Sequence, residues 1–255
     1  MAFGFFRRGT QPNKHVRRVP DATRVYAIGD IHGCHQALDK MLALIDDEVR
    51  SLPGRIVLVF LGDLIDRGPD SALVVERLSQ GPLPGTESHV LMGNHEEAML
   101  SVIDGSADPR AWLSYGGMQT LESYGIARSE HFARGFDLGR RIAEAVPAEH
   151  IAFLRSLPDR ITIGDYLFVH AGIRPGVPLE RQESTDLRWI RAGFIDSDAD
   201  HGLTVVHGHT ISEAPQSMVN RIGIDTGCYA GGALTALVLE GSTQRFLQVA
   251  GPRGD

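Results

Sequence analysis

Five short strings in this 255-residue sequence combine acidic, histidine and asparagine side chains directly after apolar runs. They are Gly29-Asp30-Ile31-His32-Gly33, Gly62-Asp63-Leu64-Ile65-Asp66-Arg67-Gly68, Gly93-Asn94-His95-Glu96, His170-Ala171-Gly172 and His207-Gly208-His209-Thr210. The first three begin with glycine and recur about every 30 residues, which is the length of a βαβ unit. Because open α/β sheets place their sites at the carboxyl ends of strands, these side chains are expected to meet. Their chemistry predicts a two-metal hydrolase that acts on phosphate.

The donor atoms suit divalent cations. Asp30 and His32 stand two residues apart at a strand end, so in extended geometry they project to the same side. Asp63 follows the next strand, and its two oxygens could bridge two cations. Asn94 offers a carbonyl oxygen, while His170 and one of the last histidines offer nitrogens; such mixed sets suit Mn, Fe or Zn. Two cations about 3.5–4 Å apart can share one water, lower its pKa and present hydroxide to phosphorus, so no protein nucleophile is required.

Each string also has an ordinary structural explanation when it is taken alone. A lone Asp after a strand is most often a helix cap or a turn former. A lone His170 would more often be a hydrogen-bonded core histidine than a ligand. Five ligand-rich strings, all at strand ends and in a fixed order, are hard to explain as caps, so the joint pattern favours a metal site.

The elements that must position these strings alternate in type along the first part of the chain. Apolar runs predict three strands, at Arg24–Ile28, Ile56–Leu61 and His89–Met92. Helical spacing predicts Ala37–Val49 and Pro69–Leu78 between them, the second with Leu73, Val74 and Leu78 facing inward. This alternation predicts a βαβαβ unit with parallel pairing. Further strands are predicted at Ile161–Ile163, Tyr166–Val169, Leu203–Val206, Arg221–Ile224, Ala233–Leu239 and Arg245–Val249.

These strings resemble the phosphoprotein phosphatase branch of the metallophosphoesterases, a branch that includes bacterial serine/threonine protein phosphatases and symmetrical diadenosine tetraphosphatases. The resemblance covers about residues 24 to 239. It implies an α/β fold with a two-sheet β-sandwich flanked by helices, in α/β/β/α layers. It also implies two divalent metal ions, taken first as Mn with Fe or Zn as alternatives. The implied ligands are Asp30, His32 and Asp63 at one metal, and Asp63, Asn94, His170 and a final histidine at the other.

The final ligand is a choice between two histidines. In the related proteins the ligand is the histidine after the glycine, and an aromatic residue often precedes that glycine. This pattern favours His209 as the ligand and places His207 at the aromatic position. His207 would then support a ligand or pack beside the site.

The leaving group of a phosphate ester needs a proton donor. His95 follows the ligand Asn94, so its side chain points elsewhere and stays free. The family resemblance implies that Asp66 pairs with His95, and a carboxylate on one ring nitrogen favours the protonated ring. The alternative for Asp66 is a salt bridge with its neighbour Arg67.

Two arginines are expected to hold the phosphate. The planar fork of Arg67 suits two phosphate oxygens. For the second, the family's Trp-x-Arg pattern points to Arg191, which leaves Arg188 as a surface or ion-pair residue. Tyr229 either leans over the site or packs on the sheet.

The remaining chain is assigned by composition and pattern. Residues 23–250 are predicted to form one domain, with a helical insertion at about 97–158 that lies beside the site; plain packing of helices on the sheet is the alternative. Residues 1–22 are predicted to be a flexible basic tail, with a docking arm for an acidic partner as the alternative.

Charge and cysteine content limit the function classes. A net charge of −7 argues against a general nucleic-acid binder. Cys34 and Cys228 are too few for a thiolate zinc site or a disulfide framework, which indicates a cytoplasmic protein. Cys34 is expected to be a small buried or rim residue and no nucleophile. No apolar run reaches the roughly 20 residues that span a bilayer.

The predicted substrate is phosphoserine or phosphothreonine in proteins. The alternative is symmetrical cleavage of diadenosine tetraphosphate or of another phosphorylated small molecule, because one catalytic set serves both and the surrounding loops give specificity. A remote alternative is an inactive scaffold that recognises phosphorylated partners. The sequence sets no oligomeric state.

Overall fold

The computed structural model describes residues 16–50, 53–127 and 137–252. The strands in these ranges are β1 (Thr23–Ile28), β2 (Arg55–Phe60), β3 (Glu87–Val90), β4 (Arg160–Ile163), β5 (Tyr166–Val169), β6 (Thr204–His207), β7 (Gln216–Ser217), β8 (Arg221–Gly223), β9 (Ala233–Glu240) and β10 (Thr243–Ala250). The helices are α1 (His35–Val49), α2 (Ser71–Ser79), α3 (Asn94–Ile103), α4 (Pro109–Trp112), α5 (Met118–Ser123), α6 (Leu138–Ala145), α7 (Ala148–Arg155) and α8 (Ser184–Trp189). A π-helical turn at Leu113–Gly117 joins α4 to α5.

The first sheet has the strand order β10-β9-β1-β2-β3. β1, β2 and β3 run parallel, and Ile28 pairs in register with Phe60. The predicted parallel pairing of these three strands is therefore confirmed. β9 and β10 run antiparallel to their neighbours and extend the sheet beyond β1.

The second sheet has the order β4-β5-β6-β8-β7. β5, β6 and β8 are parallel, while β4 and the two-residue β7 pair antiparallel at the edges. The parallel core of this sheet points the ends of β5 and β6 in one direction. The loops that carry the last predicted ligands therefore leave the sheet at the same edge.

Burial on both faces explains the continuous apolar runs of the central strands. In β1, Val25 and Ala27 pack between the sheets with Phe168 and Val206 of the second sheet. Tyr26 faces the opposite way, into the core that the helices cover. A third, smaller core lies behind the second sheet. These layers confirm the predicted two-sheet sandwich with flanking helices.

One predicted core residue of α2 is wrong. The buried positions of this helix are Ser71, Val74, Val75 and Leu78, which follow the i, i+3, i+4, i+7 spacing of one helical face. Leu73 falls outside that stripe and is half exposed. In α1, the apolar residues at helical spacing, Leu38, Met41, Leu42 and Ile45, are all buried.

Helices α3 to α7 occupy the region between β3 and β4 where an insertion was predicted. Residues 128–136 of that region lie outside the described residues. Gly116 interrupts the helical path with a φ of 113°, a conformation that favours glycine. The backbone oxygen of Gly116 accepts the N–H of Arg67 at 3.1 Å, so this break lies directly against the site.

The predicted tail, residues 1–22, is described only from residue 16. Val19 is fully buried between the sheets, and its N–H donates to the oxygen of Gly241. Arg17 forms an ion pair with Asp200 at 3.0 Å. The stretch from 16 to 22 therefore packs against the domain, and the remainder of the predicted tail lies outside the described residues.

No helix in the described ranges is long and apolar enough to cross a membrane.

Candidate functional site

The predicted ligands lie on the segments that directly follow β1, β2, β3, β5 and β6, and Asn94 among them is the first residue of α3. The structure brings these five segments together at the edge of the sandwich. All of the predicted ligands are buried there, namely Asp30, His32, Asp63, Asn94, His170 and His209.

The backbone of these loops is held in an uncommon conformation. Apart from Ala22, the described non-glycine residues with positive φ are His32, Asp63, Asp66, Arg67 and His209. Side chains disfavour this region, so surrounding contacts must fix it. The N–H groups of Ile31 and His32 donate to the oxygen of Asp63 at 3.1 and 2.9 Å, and Gly68 donates to His32. These bonds tie the first two loops together.

One group of donor atoms surrounds the Nε2 atom of His170. That atom lies 2.8 Å from Asn94 Oδ1, 3.2 Å from His209 Nδ1 and 3.4 Å from Asp63 Oδ1. His170 Nδ1 lies 2.8 Å from the oxygen of Leu61 and donates to it, so Nε2 carries a lone pair. Burial lowers the pKa of His170, and that of His209 to about 3, which keeps both rings neutral. Lone pairs that face one another in a buried site fit a cation between them.

A second group lies around the other oxygen of Asp63. Oδ2 is 3.5 Å from His32 Nε2 and 3.8 Å from His95 Nε2. His32 Nδ1 donates to the oxygen of Ile65 at 2.8 Å, so its Nε2 also carries a lone pair, and burial lowers the pKa of His32 to about 3. Asp63 thus presents one oxygen to each group, as a bridging ligand would.

Asp30 lies between the second group and the last loop. Its carboxylate accepts the N–H of His209 at 3.0 Å. A Cβ atom at Gly208 would lie 1.9 Å from Asp30 Oδ1, so only glycine permits this approach. Burial, followed by the charges of Asp225 and Asp63, raises the pKa of Asp30. A buried carboxylate that lies near other carboxylates is stabilised by a cation. The donor set therefore fits two divalent ions.

His95 is held by a buried carboxylate. His95 Nδ1 lies 2.6 Å from Asp66 Oδ2, and Asp66 also accepts from the Thr120 hydroxyl at 2.6 Å and the Trp112 indole N–H at 2.8 Å. Burial lowers the pKa of His95, but the carboxylates of Asp63 and Asp66 outweigh it and raise the pKa above its usual range. The structure thus brings the predicted Asp66–His95 pair together.

Arg67 does not pair with Asp66. Its Nη2 lies 3.2 Å from His95 Nε2, and its Nε donates to the oxygen of Tyr115 at 3.3 Å. The guanidinium stacks 4.6 Å from the ring centre of Tyr229, and Tyr229 also meets the His32 ring edge-on. Tyr229 therefore lies beside the site, and it also packs against the core that the helices cover.

The two competing arginines have different surroundings. Arg188 forms ion pairs with Glu97 and Asp159, as a structural residue would. The Arg191 side chain makes no ion pair or hydrogen bond with the described residues, while its backbone oxygen accepts the N–H groups of Phe194 and Ile195. Burial is the main cause that lowers the pKa values of His170 and His209, and the positive charge of Arg191 adds to it. Arg191 therefore lies near the first donor group.

Glu96 has a role that sequence reasoning missed. Its carboxylate accepts the N–H groups of Asp63 at 2.9 Å, Leu64 at 2.8 Å, Ile65 at 3.2 Å and Gly93 at 3.0 Å. The bond to Gly93 has the spacing of a capping box and could have been expected. The other three cross more than 30 residues of sequence, where no pattern reveals them. The Asp66 donors Trp112 and Thr120 were missed for the same reason.

His207 lies beside the site without joining either donor group. Its ring packs against Phe194 with centroids 5.1 Å apart, and its Nδ1 lies 3.0 Å from the oxygen of Gly208. Its Nε2 is buried and has no partner among the described residues. Cys34 is buried as well, and its thiol donates to the oxygen of His32 at 3.5 Å.

Substitution of the two histidines should separate their roles. His209→Ala should lower the metal content, since it removes a donor of the first group. In a Mn-bound crystal structure, His209 Nδ1 should lie about 2.0–2.3 Å from the ion. His207→Phe should keep both ions with a modest loss of activity, because a ring of similar size still packs on Phe194. Metal analysis in which the His207 variant loses an ion and the His209 variant keeps both would reverse the assignment.

A two-sheet sandwich with two buried groups of oxygen and nitrogen donors at its edge defines a metallophosphoesterase. The sequence profile of the calcineurin-like phosphoesterases matches residues 23–230, and the chain belongs to that family.

Individual relatives carry different names. The chain is 39% identical over 264 residues to a symmetrical bis(5'-nucleosyl)-tetraphosphatase of Paracidovorax citrulli, with 84% of this chain and 91% of the relative covered. It is 31% identical over 221 residues to serine/threonine-protein phosphatase 1 of Salmonella typhimurium, covering 83% and 89%. The structure of a protein serine/threonine phosphatase from Saccharomyces cerevisiae aligns with a TM-score of 0.55 at 15% identity, covering 92% and 82%. That last likeness concerns the fold.

Proposed function

We propose that this chain is a dinuclear-metal phosphomonoesterase that dephosphorylates phosphoserine and phosphothreonine in proteins. The observation that carries the proposal is the buried Asp66–His95 pair beside the two donor groups that share Asp63. The first set provides a proton donor, and the second provides the ligands for two divalent ions.

Asp30, His32 and Asp63 would hold one ion, and Asp63, Asn94, His170 and His209 the other. When bound, two divalent cations activate a water and neutralise charge on the phosphoryl group. We propose Mn for both positions, with Fe or Zn as alternatives, because the donors mix oxygen and nitrogen. The two thiols, Cys34 and Cys228, are free in the structure and accord with the cytoplasmic location we propose.

The chain's own residues perform the remaining tasks. His95 holds the proton that the leaving oxygen requires, and Asp66 keeps the ring oriented and protonated. Arg67 and Arg191 bring positive charge to the phosphate, and Arg67 has a fork that can bind two of its oxygens. The same loops exclude bulk water from the buried donor groups.

The protonated state of His95 supports an alcohol as the leaving group, because its raised pKa keeps the proton on the ring until the leaving oxygen requires it. Serine and threonine leave as alkoxides, which need a proton in the transition state, whereas a nucleotide leaves as a much weaker base. The fully buried Asp66 accepts hydrogen bonds from three donors, including His95, and so holds the His95 ring in a fixed orientation. A poor leaving group benefits most from such a fixed proton donor. This supports phosphoserine and phosphothreonine before a polyphosphate.

The second candidate is symmetrical cleavage of diadenosine tetraphosphate. It is favoured by the 39% identity to a relative named for that activity, which exceeds the 31% identity to the protein phosphatase. The ligands and the acid would serve both reactions, since both break a bond at phosphorus.

A comparison of catalytic efficiencies tests the choice. Mn-loaded protein should be assayed with phosphoserine, phosphothreonine and phosphotyrosine peptides, diadenosine tetraphosphate and an aryl phosphate. We expect the highest kcat/KM for the first two peptides. A higher kcat/KM for diadenosine tetraphosphate, with ADP as the sole product, would replace the proposal by the second candidate. If the protein binds phosphopeptides but hydrolyses none of these substrates, it would be the inactive scaffold.

Removal of the metals should abolish hydrolysis, because the proposed nucleophile is a water that the metal ions activate. Dialysis against EDTA should remove the activity, and Mn should restore it. Metal analysis before and after dialysis checks that the ions left. Full activity in protein shown to be metal-free would contradict the two-metal proposal.

A further inference from the structure

Arg191 needs an external support. It lies after the six-residue helix α8, which buries only Asp186 and Leu187. A helix this short is not stable by itself. Because the Arg191 side chain makes no ion pair or hydrogen bond with a described residue, its position depends on its backbone, which is held by α8 on one side and by the turn to the buried Phe194 on the other.

Polar contacts attach α8 to its surroundings at both ends. Near its start, Asp186 forms a two-bond ion pair with Arg174, at 2.7 and 2.8 Å. The oxygen of Leu187 accepts the N–H of Ala171, which follows His170 directly in sequence. These contacts fix the first part of α8 to the loop after β5.

The last turn of α8 is attached to α3 through Glu97. One Glu97 oxygen accepts from Arg188 Nη1 at 2.7 Å, and the other accepts from the Trp189 indole N–H. Arg188 reaches Asp159 as well, with Nε 2.6 Å from Oδ1. Its side chain is mostly buried between these carboxylates. Arg188 therefore fixes the end of α8 only three residues before Arg191.

Four consecutive residues in the first turn of α3 contact four different parts of the site. Asn94 faces His170, His95 faces Asp66, Glu96 binds the loop after β2, and Glu97 binds α8. Successive helical residues point about 100° apart, so four neighbours can serve four directions. Glu97 thereby attaches α8 to the same turn of α3 that carries the predicted ligand Asn94 and the proposed acid His95.

We propose that Glu97 and Arg188 are positioning residues that set the guanidinium of Arg191 over the phosphate site. The proposal rests on the phosphate-binding role proposed for Arg191 and adds how that role is maintained. It makes Arg188 neither a ligand of phosphate nor a general surface residue. Its fork spans two carboxylates on different elements, which a lysine point charge could not reproduce.

Equilibrium binding of inorganic phosphate to the Mn-loaded protein tests the proposal. Arg188→Gln should weaken phosphate binding about tenfold, the size of effect expected when a charged hydrogen bond is misplaced. Glu97→Gln should weaken it in the same direction and provides a second variant should Arg188→Gln not fold. Both should retain two ions by metal analysis, because neither residue belongs to the donor groups. With a phosphopeptide, KM should rise more than kcat falls.

A matched control uses another arginine–carboxylate ion pair that involves the α3 segment. Arg155 on α7 pairs with Asp104, just after the end of α3, at 3.0 Å; it lines the same cavity as Glu97 and Arg188 but forms no hydrogen bond or ion pair with α8. Arg155→Gln should leave phosphate affinity unchanged. Phosphate affinity of Arg188→Gln equal to that of this control would overturn the proposal.

The combination with Arg191→Ala separates the possible failures. Once Arg191 is removed, Arg188→Gln should have no further effect on phosphate binding, since its action passes through Arg191. Multiplied losses in the double variant would show an independent action and overturn the positioning role. If Arg191→Ala itself binds phosphate as tightly as the unmodified protein, the role proposed for Arg191 fails instead.

Discussion

Asp63→Asn should remove both the activity and much of the bound metal. Asp63 presents Oδ1 to the His170 group and Oδ2 to His32, at 3.4 and 3.5 Å, so a single substitution weakens both groups. An amide has one acceptor and no charge, and cannot replace a bridging carboxylate. We expect kcat/KM to fall by more than about 100-fold, since residues that merely support a metal ligand already cost 10–100-fold. Metal analysis should find clearly fewer than two ions.

The control for this experiment is Asp39→Asn. Asp39 lies on α1, half exposed and outside both donor groups, so its substitution makes the same chemical change without touching the site. It should keep full activity and both ions. Two tightly held ions and unchanged turnover in Asp63→Asn would show that another residue bridges the metals.

The predicted strand ends followed from local chemistry. A run such as Ile56–Leu61 can be apolar throughout only where both faces are covered, and the glycine after it marks the turn that the site needs. The same local reasoning placed Asp63 and Asn94 at neighbouring strand ends. It misplaced Leu73, because an apolar residue in a helix does not by itself specify the face that is buried.

Contacts between distant segments could not be predicted in this way. Trp112 donates to Asp66 from 46 residues further along the chain, just before the π-helical turn, and no spacing in the sequence links the two. Glu96 has the sequence position of a capping residue, yet most of its hydrogen bonds go to the loop after β2. The sequence shows that such residues are present but does not show which residues they contact, and those contacts determine their roles.

Contacts between distant segments also hold the backbone of the site in place. His32, Asp63 and His209 hold positive φ values that unsupported side chains disfavour. Backbone bonds from His32 to Asp63, and from His209 to Asp30, fix each loop against another. The hydrogen bonds between the loops therefore offset the conformational cost of these backbone positions.

His95→Ala should slow hydrolysis of a phosphoserine peptide by roughly 10²–10⁴-fold, the usual contribution of a general acid. The ions should remain, because His95 is not among the predicted ligands: Asp66 holds its Nδ1 at 2.6 Å, and its Nε2 lies 3.8 Å from Asp63 Oδ2. The loss should be smaller for nitrophenyl phosphate, whose phenolate leaves with little help from a proton. Rates with both substrates, together with metal analysis, measure this difference.

The leaving-group dependence distinguishes an acid from a phosphate-binding residue. His95 Nε2 lies 3.2 Å from Arg67 Nη2, so its removal could also disturb Arg67. Disturbed phosphate binding would slow both substrates equally, because the phosphoryl group is the same in each. Arg67→Ala provides that comparison and should show equal losses. Asp66→Asn should repeat the unequal losses of His95→Ala in weaker form, since Asp66 acts only through the ring. Equal losses in all three variants would remove the proton-donor role and leave His95 as part of the phosphate site.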